Sequence, residues 1–223
     1  MSTSSNDFSQ RLRQQPENAL DAFAEAEIMS GLPFIFSTEE QLLDFQNHVA
    51  NALGIADVGQ DVRIVGSART GFSLDPDRFP VPFREASDID IVVVHTNLFD
   101  EVWRTMLTWD YLTIRNRSYQ EEQWLLSRHH EVWSGWYDPS GWRFRERRGI
   151  ELSFPVVLKP LRDFANNWFS AFRSLSRYKG HPEISRHKIS ARLYRTRNHA
   201  NMYHVYGLRA LRRRLNTEQA NAL

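Results

Sequence analysis

Residues 66–94 read GSARTGFSLDPDRFPVPFREASDIDIVVV. The stretch closes on a run of β-branched residues, which crowd a helical turn but fit a pleated strand, so "DIDIVVVH" predicts a strand. Side chains two apart on a strand share a face. Asp88 and Asp90 are therefore set side by side, while Ile89 and Ile91 turn into the opposite layer. Two carboxylates held so close repel and lose hydration unless a cation or an arginine lies between them. Hard oxygen donors on one face suit Mg²⁺, or Mn²⁺ in its place, and Mg²⁺ shares its shell between one or two carboxylates and substrate phosphates. The same aspartates can instead close the loop as an Asx turn that caps the strand.

Just upstream, "VRIV" predicts a short strand that ends at Gly66, and a loop rich in Gly, Pro and Asp follows from Ala68 to Ala86. With no side chain on Gly66, backbone N–H groups and the Ser67 hydroxyl can come close to phosphate oxygens, and Arg69 adds positive charge. Neither G-x-x-x-x-G-K-[ST] nor G-x-G-x-x-G occurs in the chain.

Working outward, Ser37 and Glu40 form a capping pattern, and Leu42, Leu43, Phe45, Val49 and Leu53 follow at helical spacing up to Gly54. Amphipathic patterns predict helices from about Leu98 to Trp109 and over 119–134. "GIELSFPVVL" (149–158) predicts another strand, with Pro155 at an edge or bulge. Beyond Pro160 the pattern predicts helix almost to the end, broken at "KGHPE". The expected fold class is α+β: a mixed sheet flanked by helices over 37–160, a flexible or helical lead over 1–36, and a basic helical segment over 161–223.

The net charge of +1 conceals two opposed fields. Residues 169–223 hold 12 Lys and Arg against 2 Asp and Glu, leaving 16 against 25 for the rest of the chain. An acidic body suits cation binding, and a basic end suits a polyanion or the body's own acidic surface. There is no cysteine, which excludes disulfides and thiolate metal sites. The polar start and the lack of a stretch of about 20 apolar residues predict a soluble, cytoplasmic protein without a membrane partner.

Taken together, "VRIVGSARTG", "SDIDIVVV" and "GIELSF" resemble the nucleotidyltransferase superfamily typified by DNA polymerase β. Its signature is a hydrophobic strand ending in Gly-Ser, then alternate aspartates on the next strand, then a further acidic residue on a later one. The resemblance covers about 62–95, and 149–154 through Glu151; Glu146 and Asp163 are alternatives for that third acidic residue. The loop between Gly71 and Ser87 is longer than in minimal bacterial members. The resemblance implies a palm-like fold in which Asp88, Asp90 and Glu151 hold Mg²⁺ and serve catalysis. It also implies that Gly66, Ser67 and Arg69 bind an NTP such as ATP, whose NMP moves to an acceptor hydroxyl with release of pyrophosphate. Members that make nucleotide second messengers, and silent members that sense nucleotides or act as antitoxins, share the pattern.

The basic end bears on the acceptor. Arg186, Lys188, Arg192, Arg195 and Arg197 interleave with Tyr194, Tyr203 and Tyr206, and Arg212, Arg213 and Arg214 close the run, a mixture that grips a nucleic-acid backbone and stacks on a base, which points to RNA or transfer RNA. The bland alternative is an amphipathic helix that packs Met202, Val205, Leu208, Leu211 and Leu215 on the body. Its basic face could equally receive the triphosphate or a protein partner. His129 and His130 are neighbours on a helix and point about 100° apart, which argues against a shared metal. The seven tryptophans read as packing residues.

Overall fold

The computed structural model describes residues 4–55, 62–115, 117–139, 159–175 and 182–221. Its centre is β2, Ile89–Val94, the β-branched run. On one side β2 pairs antiparallel with β1, Val62–Val65, so that Val62 faces Val93 and Val65 faces Asp90. On the other it pairs parallel with β4, Ile189–Tyr194, in the register Ile89 to Ile189 and Asp90 to Ser190. A short β3, Trp136–Tyr137, runs antiparallel along β4, which gives the order β1-β2-β4-β3.

Both faces of this sheet are covered, as a central strand with little hydrophobic alternation requires. Ile89, Ile91 and Val93 join Val62, Ile64 and Leu193 in one core with α3 (Glu39–Leu53), α5 (Thr96–Thr113), α6 (Tyr119–Trp133) and α7 (Lys159–Leu175). Phe45, Phe99, Trp109 and Trp168 are its large side chains. Val65, Val92, Val94 and Tyr194 join a second core on the opposite face. That core is closed by α1 (Ser5–Gln14), α2 (Leu20–Ala24) with its continuing π turn Glu25–Met29, and α9 (Arg197–Asn221). The α+β class is as expected. Two further short helices, α4 (Gly66–Thr70) and α8 (Pro182–Ser185), sit at the entrances to strands and loops.

Three sequence expectations are corrected. The described residues of 1–36, from residue 4 on, are largely helical as one form of the expected lead, but they pack on the body rather than hang free: Phe8 and Leu12 are 1% and 0% exposed and lie beneath α9. Ala-rich, polar sequence hid a two-residue apolar stripe that only a partner helix makes use of. The segment 161–223 is not all helix, because "ISARLY" is β4 and lies inside the sheet. Its Arg-rich flanks favour helix locally, and the hydrogen bonds from β2, about 100 residues away in sequence, override them. The α3 cap is shifted by one residue: Thr38 accepts from the Gln41 N–H while the Gln41 side chain returns to Thr38, a reciprocal capping box. The strand expected over 149–158 lies outside the described residues.

The opposed charges of the two halves meet. Arg197 pairs with Glu25, Arg209 and Arg212 both pair with Glu17, and Arg212 donates to the Gln15 carbonyl at 2.7 Å. Much of the basic end therefore faces the chain's own acidic start. Along α9, Val205, Leu208, Leu211 and Leu215 are buried as the amphipathic pattern requires, whereas Met202 is exposed and Ala200 takes the inner position.

Candidate functional site

Because β1 and β2 are antiparallel, the end of β1 lies beside the start of β2. The chain leaves β1 through Gly66 at φ +63°, a left-handed conformation, and turns directly into α4. A Cβ on Gly66 would lie 2.8 Å from Asp90 Oδ2. The glycine is thus required twice, by its backbone angle and by the carboxylate that presses against it. Ser67 follows, partly exposed, on the first turn of α4.

Asp90 Oδ1 accepts a hydrogen bond from Ser190 Oγ at 2.8 Å, across the β2–β4 register. Burial pushes the Asp90 carboxyl above its ordinary pKa, and neither the Ser190 hydrogen bond nor the charge of Arg192 offsets this. The nearby Asp88 adds to the upward shift. Asp88 stands one residue before β2, with a half-exposed side chain, and Lys188 Nζ lies 3.4 Å from its Oδ2. The backbone bond from Ile89 N–H to the Lys188 carbonyl, 2.9 Å, carries the register on to these two residues. One end of the sheet therefore gathers Gly66, Ser67, Asp88, Asp90, Lys188 and Ser190.

The hard oxygen donors at this end are the two carboxylates Asp88 and Asp90. Asp90 is a largely desolvated carboxylate with no ion-pair partner among the described residues, and Asp88 has recruited a lysine. Among the described residues no group of three or more His, Asp or Glu is arranged to hold a metal. Glu151, expected as the third carboxylate, lies outside the described residues, as does Glu146. Asp163 is on α7, 3.8 Å from Arg162.

The expected cationic residues are not brought together. Arg69 turns away from any phosphate role and donates to the carbonyls of Leu32, at 2.6 Å, and Ser30, which staples the segment 30–33 to α4. Burial lowers its pKa from the usual arginine value. Arg192 lies on the second-core face of the sheet, two residues beyond Ser190, with its guanidinium 5.5 Å from the Trp136 ring and 5.0 Å from the Tyr203 ring. It also donates to the Tyr203 hydroxyl. Arg195 pairs with Asp100 at 3.0 Å and stacks on Trp103. Arg197 pairs with Glu25 and donates to Ser30 Oγ at 3.1 Å.

Ser190 was not singled out from the sequence, and Lys188 was read only as one of the basic residues of the helical end, not as a neighbour of Asp88. The signal was present: Lys188, Ser190 and Arg192 alternate with Ile189, Ala191 and Leu193 at the period of a strand. Compared with protein-family models, with curated proteins and with solved structures, the chain finds no match.

Proposed function

We propose that the chain is a Mg²⁺-dependent nucleotidyltransferase that moves an NMP from an NTP to an acceptor hydroxyl, with RNA as the acceptor. The observation that supports this reading is the contact between Gly66 and Asp90, which joins the Gly-Ser turn to the paired aspartates at one sheet end. Asp88 and Asp90 would hold the cation. When bound, the cation draws off phosphate charge and lowers the pKa of the acceptor hydroxyl. The Ser67 hydroxyl and the adjacent backbone N–H groups orient the phosphates, and Lys188 neutralises their charge. The acceptor hydroxyl releases its proton to solvent as its oxygen bonds to the α-phosphorus, the bond from the α-phosphorus to the bridging oxygen of the β-phosphate breaks, and pyrophosphate departs with that oxygen. Positioning and charge neutralisation carry the rate.

A second reading, nucleotide binding without turnover, is favoured by the Asp88–Lys188 pair and by a hydroxyl, Ser190, opposite Asp90. Incubation with each α-³²P NTP and Mg²⁺, with and without cellular RNA, separates the two. Label entering RNA supports transfer, and Asp88→Asn should reduce it by roughly three orders of magnitude, about 4 kcal/mol of barrier. If no label moves while calorimetry still detects NTP, the binding reading replaces it. Absence of both defeats the two readings together.

A further inference from the structure

A cleft of about 410 Å³ opens next to Asp88, lined by Phe34, Ser37, Phe83, Arg84, Arg186 and His187. Three segments build it, and each is tied to the site already described. The Phe34 and Ile35 N–H groups donate to the carbonyls of Arg69 and Ala68 at 3.0 and 3.1 Å, which fixes that wall to α4. The turn 84–87 is closed by the Ser87 N–H on the Arg84 carbonyl, 2.7 Å, and by the Arg84 N–H on Ser87 Oγ, 3.1 Å. His187 is buried, with Nδ1 2.8 Å from the Ser87 carbonyl and its ring 4.8 Å from that of Phe83. It locks the run into β4 against the run into β2.

Arg84 and Arg186 therefore sit on two segments held rigidly together, one from each approach to the paired strands. Both are exposed, and among the described residues neither forms an ion pair. Glu85 also lines the cleft, and Arg84 with Arg186 outweigh it, so the local charge stays positive. Arg192, Arg195, Arg197, Arg209, Arg212 and Arg214 each already face a carboxylate. Two guanidinium groups sharing one cleft, neither in an ion pair among the described residues, repel each other, and a phosphate answers both through charge-assisted hydrogen bonds.

We propose that Arg84 and Arg186 form a phosphate-binding subsite beside the Asp88–Asp90 site, gripping one phosphate against the Phe34 and Phe83 wall. The phosphate belongs to the acceptor's backbone or to the triphosphate. Only that assignment rests on the transferase reading, since binding needs neither metal nor turnover.

The test uses the full chain in EDTA with two probes: an eight-nucleotide oligouridylate lacking terminal phosphates, followed by anisotropy, and inorganic tripolyphosphate, followed by calorimetry. The variants are Arg84→Ala with Arg186→Ala, Arg84→Lys with Arg186→Lys, and Arg213→Ala as an exposed cation elsewhere, each checked by thermal unfolding. The double alanine variant should bind at least one probe about tenfold more weakly. For the RNA probe its salt slope should fall by about 0.7. The lysine variant should recover part of the affinity, and Arg213→Ala should change neither probe. The probe that loses affinity identifies the carrier. Equal binding by wild type and the double alanine variant, an equal loss in Arg213→Ala, or a wild type that binds neither probe overturns the subsite. Failure of label transfer alone leaves it standing.

Discussion

Gly66 carries two constraints that can be measured apart. Alanine there must hold a left-handed φ of +63° and must displace a carboxylate oxygen lying 2.8 Å from its new Cβ. We expect Gly66→Ala to lose about 1–3 kcal/mol in urea denaturation. Part of that loss should return when Asp90→Ala is added, because only the steric share depends on Asp90. Strict additivity of the two changes would show that the contact does not matter. Asp90 itself is held above its ordinary pKa by burial, so the folded chain keeps that proton to higher pH than the unfolded chain does. Its charged form opposes folding, and the stability lost is incurred as pH rises from the unfolded pKa through the folded one. Asp90→Asn should therefore unfold no lower than wild type at neutral pH in EDTA while losing transferase activity. A large drop in its melting temperature would mark Asp90 as structural.

At the scale of elements, α1 shows how a polar segment becomes integral. Ser4 caps it by accepting from the Asp7 N–H, and Arg11 reaches Glu27 at 2.7 Å on the π turn. Its anchoring residues are Phe8, which lies edge-on to Phe72 and tilted against Phe23, and Leu12 beside it. Removing a fully buried phenyl ring costs about 3–5 kcal/mol in a packed core. Phe8→Ala should thus destabilise the whole chain by that amount in a single transition. An early separate transition, with the rest unfolding as wild type, would show that α1 is an independent appendage. The helices α3 and α6 were legible from apolar residues at helical spacing, a local signal that needs no partner, and the structure adds reciprocal caps, Thr38 with Gln41 and Ser118 with Glu121. The strand β4 carried a two-residue alternation over 188–193, but its basic surroundings read as helix, and only pairing with β2, far away in sequence, settles it as a strand.

Over the whole molecule, two buried titrating groups set opposing pH trends. Burial drives Glu131 up from 4.5 to about 7 although Arg128 lies 2.7 Å away and the Asp138 N–H donates to it. Burial drives His204 down from 6.5 to about 4, with Arg192 adding to the effect, and its Nε2 has no hydrogen-bond partner among the described residues. A raised acid binds its proton more tightly when folded, so the Glu131 share of stability falls as pH rises from 4.5 to 7. A lowered histidine does the reverse, and its share is lost as pH falls from 6.5 to 4. Each share amounts to at most about 3 kcal/mol, and the two partly cancel. Denaturation curves should therefore show Glu131→Gln gaining stability from pH 4 to 6.5 more steeply than wild type. His204→Phe should lose stability across pH 4.5–7. Parallel pH profiles in all three proteins would refute both assignments.

The sequence by itself determined what depends on neighbours in the chain: a β-branched run that must be a strand, aspartates two apart on one of its faces, a glycine at the sharp exit from β1, and capped helices. It also showed two opposed charge fields and left open whether they serve a polyanion or each other. Tertiary structure decided which strand lies beside β2, hence that Ser190 and Lys188 face the aspartates. It decided which arginines are already paired and which, Arg84 and Arg186, share a cleft. The physical reason is range. Side-chain period, backbone angle and capping are set within a few residues, whereas strand pairing and ion pairing join groups up to about 200 residues apart, and only the folded chain brings those groups within bonding distance.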